Sequence, residues 1–248
     1  MKQFGLIGFP LGHSFSKKYF TEKFEREGIS ARYNLYELKT ISEFTALKEI
    51  TQLSGLNVTI PYKEKIIDYL DELDETAAQI GAVNVIKFIR ADGKLTLKGY
   101  NSDAIGFESS LKPFLQPFHK KALILGTGGA SKAIDYVFQK LGIEATFVSR
   151  TAKPGMLTYD HLTKRILDDN LVIVNASPVG TFPHSDECPD IPYYFITDKH
   201  LLFDVVYNPA ETLFLKKGKV LGAQVLNGEA MLIEQAVASW EIWKSEEV

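Results

Sequence analysis

The 248 residues are 45% hydrophobic and 24% charged, with a formal net charge of -3, as in an ordinary globular protein long enough for two domains with full cores. The weakly negative balance gives no basic field for nucleic acid, no apolar run approaches membrane-spanning length, and Met1 to Pro10 is too short an apolar stretch for a signal peptide, so a soluble protein made and kept in the cytoplasm is expected. A single cysteine, Cys188, excludes an internal disulfide framework and a multi-cysteine metal site and reads as a loop residue.

Phe4 to Gly8 predicts a short buried strand, followed by the turn-rich loop Phe9 to Ser16 and a helix from about Ser16 to Glu27. Ala31 to Leu38 predicts a second strand, and Thr40-Ile-Ser-Glu43 is a capping box opening a helix with Phe44, Leu47 and Ile50. Gly55 to Ile60 is a third strand, which stops at Pro61, a residue suited to the first turn of a helix beginning with Tyr62 and Lys63. Glu72 to Ile80 reads as a further helical piece. Ala82 to Ile89 and Leu95 to Tyr100 read as antiparallel strands joined by a turn at Ala91-Asp-Gly-Lys94.

A helix from Asp103 to Leu115 leads to a boundary marked by Pro113 and Pro117. Beyond it the pattern alternates: strand 122–126, helix 130–141, strand 145–149, helix 159–167, strands 171–176 and 201–206, helix 211–217, strand 223–226, and a last helix from Glu229 to about Lys244. Regular alternation of this kind implies right-handed crossovers and a doubly wound parallel sheet with helices on both faces.

In such a sheet ligands sit beyond the carboxyl ends of the strands. Four segments should therefore share a crevice: the loop after Leu125, Ser149 to Lys153, Asn175 to Gly180, and Asp204 to Pro209. Lys121 to Ser131 runs from an apolar strand through Gly126, Gly128 and Gly129 into a helix, so backbone N–H groups and the positive helix end can meet a phosphate. The alternative is a connecting turn, and Ser131 stands where the dinucleotide fingerprint has Gly or Ala. Ser149, Arg150, Thr151 and Lys153 contain no acid to hold a ribose 2′-hydroxyl; a guanidinium and an ammonium there suit a 2′-phosphate, against the plainer reading of a solvated basic turn.

The first half lacks a glycine loop and should hold what the cofactor reacts with. Asn57, Thr59, Lys63, Asn84, Asn101, Ser102 and Asp103 cluster at predicted strand ends. Lys63 at a helix start near a carboxylate can exchange a proton with a hydroxyl, although a lone lysine is more often a surface group. Ser14 and Ser16 either cap the following helix or donate to a carboxylate; His13 reads as a loop residue. Pro183 to Asp190 holds metal-capable side chains without periodicity and reads as a surface loop.

Taken together, Gly12-His-Ser-Phe-Ser16, Asn57-Val-Thr-Ile-Pro-Tyr-Lys63, Gly81-Ala-Val-Asn84, Asn101-Ser-Asp103, Gly126-Thr-Gly-Gly-Ala-Ser131, Ser149-Arg-Thr151, Asn175-Ala-Ser-Pro-Val-Gly180 and Met231-Leu-Ile-Glu-Gln235 resemble the shikimate dehydrogenase family, in order, from residue 5 to about 236. The resemblance implies an N-terminal substrate-binding α/β domain (1–102, with 229–248 packing back on it) and a Rossmann-type NADP-binding domain (103–228). It implies a reversible NADP-dependent oxidation of shikimate at its C3 hydroxyl in aromatic amino acid (chorismate) biosynthesis, without a metal, by a monomer or homodimer.

By position, the resemblance makes Lys63 and Asp103 the catalytic pair. It gives Ser14 and Ser16 the substrate carboxylate, and Thr59, Asn84, Tyr207 and Gln235 further substrate contacts. It gives Gly126, Thr127, Gly128, Gly129 and Ala130 the pyrophosphate, Ser149, Arg150, Thr151 and Lys153 the 2′-phosphate, and places Val205 and Gly228 by the nicotinamide. Three positions depart from the family pattern: Ala104 and Ala230 replace glycines and Ser149 replaces asparagine. Two rivals stand beside this reading: a quinate/shikimate dehydrogenase with relaxed cofactor use, and a non-catalytic NADP-binding sensor.

Overall fold

The computed structural model of the chain describes residues 1–12 and 14–245; His13 lies outside them. It divides into two compact units, 1–102 with 235–248, and 103–234.

In the first unit, β1 (Lys2–Gly8), α1 (Phe15–Arg26), β2 (Ala31–Glu37), α2 (Phe44–Leu47), β3 (Leu53–Val58), β4 (Glu72–Leu73), α3 (Glu75–Ile80), β5 (Val85–Ala91) and β6 (Lys94–Tyr100) follow in chain order. They make a six-stranded sheet ordered β2-β1-β3-β5-β6-β4. β1 pairs in parallel with β2 and β3, while β5 runs antiparallel to β3 and β6. The β5–β6 turn has Asp92 and Gly93 at φ 51° and 75°, the left-handed pair that a two-residue hairpin requires.

Two apolar layers cover this sheet. One contains Ile7, Phe44, Leu53, Leu56, Ile66 and Ile86; the other contains Phe4, Phe20, Phe24, Tyr33 and Trp243. Trp243 lies near the end of the last helix, stacks on Phe4 at 4.8 Å and donates its indole N–H to the Ile86 carbonyl at 3.0 Å. Gly55 makes room for it: a Cβ there would lie 2.3 Å from the indole nitrogen.

The second unit is built from α4 (Ser102–Leu111), β7 (Lys121–Leu125), α5 (Gly129–Lys140), β8 (Glu144–Ser149), β9 (Leu157–Thr158), α6 (Lys164–Asp169), β10 (Val172–Asn175), β11 (Leu201–Asp204), α7 (Leu213–Val220), β12 (Gln224–Leu226) and the first part of α8 (Glu229–Lys244). Its sheet is ordered β12-β11-β10-β7-β8-β9 and every pairing is parallel. This is the doubly wound arrangement the alternation predicts, and the strand order reverses between β7 and β10, where such sheets open their ligand crevice. Among the described residues no helix is long and apolar enough to cross a membrane.

Several local expectations need correction. No helix begins at Tyr62 and Lys63: the peptide before Pro61 is cis and the chain turns, resuming only as a 3-10 segment at 65–69. The Lys63 carbonyl is committed to the Val83 amide at 2.7 Å, and the Tyr62 side chain is tied down by its hydroxyl, which donates to the Leu38 carbonyl at 2.6 Å. The piece at 72–80 starts as strand β4 and becomes helical only after Asp74, whose carboxylate caps α3. The helix expected at 159–167 is a 3-10 turn at 159–161 followed by α6.

Beyond β11, the Asp204 carboxylate is fully buried and accepts from Thr212 Oγ1 at 2.6 Å, Asn175 Nδ2 at 2.9 Å and the Val206 amide at 3.0 Å. It thereby ties together the ends of β10 and β11 and the cap of α7. Burial pushes its pKa up to about 6, with the three donors opposing.

Two outcomes are expected from this packing. Trp243→Ala should lower the unfolding free energy by about 3–5 kcal/mol, read from denaturant midpoints; an effect near zero would mean that α8 contributes nothing to the layer around Phe4. For Asp204 the folded pKa exceeds the unfolded one of about 3.9, so the folded state binds the extra proton and this group's contribution grows as pH falls through 6. Relative to Asp204→Asn, the protein should gain about 1 kcal/mol of stability between about pH 7 and pH 5. A difference independent of pH would show that Asp204 has no raised pKa.

Candidate active site

In the first unit the polar residues gather where β1 and β3 end and β5 begins. The Thr59 amide donates to the Ile7 carbonyl at 2.9 Å, the Val58 amide to the Asn84 carbonyl at 2.8 Å, and the Val83 amide to the Lys63 carbonyl at 2.7 Å. Thr59, Lys63 and Asn84 are thus brought to one end of the sheet by main-chain bonds alone. Ser14 is the N-cap of α1 and accepts from the Lys17 amide at 3.3 Å. An accepting hydroxyl keeps its own proton to donate, so the capping and carboxylate-binding roles are compatible. Ser14 and Ser16 flank the start of a twelve-residue helix whose positive end also favours an anion.

A hydrogen-bonded lattice lies behind these residues. Tyr33 donates to Asn57 Oδ1 at 2.8 Å, Asn57 Nδ2 donates to Ser239 Oγ at 2.9 Å, and Ser239 donates to the Gln235 carbonyl at 2.7 Å. Asn84 Nδ2 donates to Ser102 Oγ at 3.0 Å, and the Ser102 amide returns a bond to Asn84 Oδ1 at 2.6 Å. Asn101 Nδ2 donates to the Ala82 carbonyl at 2.8 Å. Asn57 and Asn84 each accept at the oxygen and donate from the nitrogen, so neither can turn its amide over without losing two bonds. Gln235 is brought to this lattice by its own backbone. Burial pushes the Tyr33 hydroxyl upward in pKa, with a hydrogen bond to Ser16 opposing.

Asp103 and Tyr207 fall in the second unit. Asp103 is buried in the first turn of α4, directly after the Ser102 that Asn84 holds. Tyr207 is part-exposed in the turn after β11.

The glycine loop of the second unit is open to a phosphate. Gly126 has φ 119°, a conformation for glycine, and a Cβ on it would lie 3.1 Å from the Ala176 carbonyl oxygen. The loops after β7 and β10 therefore touch at the place where the strand order reverses. Gly128 is the N-cap of α5, and nothing lies within 4 Å of the position a Cβ would take. The first N–H groups of α5 lack partners within the helix, and among the described residues no side chain caps its start. Ser131 fits where a third small residue is usual because it is buried and turns its hydroxyl back to the Gly128 carbonyl at 2.5 Å.

At the end of β8, Ser149 is buried and accepts from the Thr151 amide at 3.3 Å, while Arg150, Thr151 and Lys153 are exposed. An open glycine cradle beside exposed cations fits a nucleotide with an additional phosphate. Gly228 is required by close approach: a Cβ would lie 2.3 Å from the Val205 carbonyl oxygen and 3.1 Å from that of Asp204.

The residues that sequence reasoning missed are the ones behind the contact surface: Tyr33 and Ser239 in the first unit, and Asp204 in its fully buried role in the second. A serine inside Ala236-Val-Ala-Ser-Trp240 and an aspartate closing Leu201-Leu-Phe-Asp204 are polar residues set in apolar runs, which is the available signal for a buried, partnered group.

Comparison with known proteins finds relatives over nearly the whole chain. The family described as shikimate dehydrogenase substrate binding domain matches residues 6–86. A relative from Methanosphaera stadtmanae, named shikimate dehydrogenase (NADP(+)), is 34% identical over 96% of this chain and 90% of its own length. The crystal structure of shikimate dehydrogenase from Aquifex aeolicus is 35% identical with a TM-score of 0.86, covering 100% of this chain and 94% of that one. Shikimate 5-dehydrogenase from Thermus thermophilus, solved in complex with NADP(H) and shikimate, is 28% identical with a TM-score of 0.85 over 98% of this chain and 94% of that one. The chain belongs to the shikimate dehydrogenase family.

Proposed function

We propose that the chain catalyses the reversible NADP-dependent interconversion of 3-dehydroshikimate and shikimate in chorismate biosynthesis. The observation that carries this reading is a near-full-length relationship to NADP-dependent shikimate dehydrogenases in a chain that keeps Lys63 and Asp103 together with an acid-free basic turn at 149–153. A binding module would need neither member of the pair, and an NAD site would place an acid in the turn.

Bound NADP supplies the hydride acceptor or donor. The chain's own residues do the rest. Ser14 and Ser16 bind the substrate carboxylate at the start of α1, and Thr59, Asn84, Tyr207 and Gln235 fix the ring hydroxyls. A carbonyl forms at C3 only if the hydroxyl proton leaves as the hydride does, so a base must lie within hydrogen-bond reach of that oxygen. Lys63 takes that proton, and returns it in the reverse direction; Asp103 orients the hydroxyl. Gly126 to Ala130 bind the pyrophosphate, Ser149, Arg150, Thr151 and Lys153 the 2′-phosphate, and Val205 and Gly228 border the nicotinamide. Residues 1–102 with the end of α8 form the substrate domain and the remainder the nucleotide domain; the assembly is a monomer or homodimer in the cytoplasm, with no nucleic acid or membrane partner.

Following NADPH absorbance with 3-dehydroshikimate, then with NADH and with 3-dehydroquinate, tests the function. Turnover is expected with the first combination and should be far weaker with the others. Preference for NADH would overturn the cofactor assignment, comparable use of 3-dehydroquinate would favour the quinate/shikimate rival, and no turnover would favour the sensor.

Lys63→Ala should lower kcat by about 10²–10⁴ with little change in KM, because the lysine acts on a proton in transit. A raised KM with kcat intact would reduce it to a binding residue. Arg150→Ala should raise the NADPH KM by roughly 10- to 100-fold, the worth of a charged hydrogen bond, and leave the NADH KM unchanged. Equal effects on both nucleotides would place Arg150 away from the 2′-phosphate.

A further inference from the structure

Asp204 takes no part in the roles assigned above, yet its placement is unusual. Its carboxylate is fully buried and is satisfied by three neutral donors, Thr212 Oγ1, Asn175 Nδ2 and the Val206 amide. Among the described residues no cation pairs with it, and the nearby Tyr193 hydroxyl is kept neutral by burial. A carboxylate held by neutral donors away from water keeps its field instead of being screened by a counter-ion. That field originates one residue from Val205, and the backbone of both residues packs against Gly228.

On the reading given under Proposed function, Val205 and Gly228 border the nicotinamide ring. The two redox states of NADP share every phosphate and differ at that ring, which carries a positive charge when oxidised and none when reduced. We propose that Asp204 acts through space as an electrostatic selector, favouring the oxidised nucleotide over the reduced one at this site. It does so without touching the ring, and the charge it supplies cannot be moved to solvent, because Asn175 and Thr212 anchor both carboxylate oxygens.

The discriminating quantity is the ratio of dissociation constants for NADP+ and NADPH, in which contributions from the phosphates and from Arg150 cancel. Asp204→Asn preserves the bonds: the amide oxygen still accepts from Asn175 and Val206, and the amide N–H can donate to the Thr212 hydroxyl. Titrations of the full chain with each nucleotide at about pH 8, by NADPH fluorescence and by calorimetry for NADP+, should show NADP+ binding weakened about tenfold relative to NADPH in the variant. A ratio within about twofold of wild type, with both nucleotides binding, would overturn the selector while leaving the NADP reading intact. Failure of the wild type to bind either nucleotide would overturn both.

Should Asp204→Asn not fold, the wild type itself is titrated at about pH 8 and about pH 5, across the carboxylate's protonation. The 2′-phosphate also titrates in that range, but alike in both nucleotides. NADP+ should lose several-fold against NADPH at the lower pH, and an unchanged ratio would overturn the proposal.

Discussion

The 2.7 Å bond from the Val83 amide to the Lys63 carbonyl, beside the 2.8 Å bond from the Val58 amide to the Asn84 carbonyl, is the constraint on which the polar cluster of the first unit depends. Where β3 ends, the Val58 and Thr59 amides take their partners from Asn84 and Ile7, and the turn through Pro61 brings the Lys63 carbonyl to Val83 in the lead-in to β5. A helix from Tyr62 would have taken the Lys63 carbonyl for itself and carried the lysine along its own axis. Instead the turn delivers Lys63 beside Asn84. Asn84 then holds the amide of Ser102, the first residue of α4. The placement of Lys63 and Asn84 thus rests on main-chain bonds rather than on the side chains' own preferences.

The second unit applies the same principle with different residues. Parallel strands that stop together leave amides and carbonyls at one edge of the sheet, and the loops that follow must satisfy them. The Gly126 amide bonds to the Val148 carbonyl and the Gly228 amide to the Val206 carbonyl, Asn175 and Asp204 bond to each other and to the chain beyond, and the two glycines let the backbone approach Ala176 and Val205 closely. The glycines are therefore explained by backbone approach as much as by the room they leave for a phosphate. In the first unit Gly55 is required for a third reason, to seat Trp243.

Much of this was legible in the sequence. The strand–helix alternation after residue 121 predicts the parallel sheet because each apolar strand is long enough to be buried on both faces, and Ala91-Asp-Gly-Lys94 specifies a hairpin by its turn chemistry. The turn at Lys63 was not legible: Pro61 suits a helix start locally, and only the distant Val83 and Leu38 decide otherwise. Strands β4 and β9 are two residues each, too short to show any period. Ser14, Asn84 and Arg150 stand out as polar groups in loops and at strand ends, whereas Ser239 is held to Asn57, far away in sequence, which no local pattern encodes, and Asp204 is held to Asn175 as well as to the nearer Val206 and Thr212.

If the first unit's lattice prebuilds the substrate site, shikimate should bind without any nucleotide. Calorimetric titration of nucleotide-free protein with shikimate measures this directly. The expected result is saturable one-to-one binding that is lost in the Ser14→Ala/Ser16→Ala double variant, with the unfolding midpoint of that variant retained. Absence of binding to the wild type, or binding that survives loss of both serines, would contradict it.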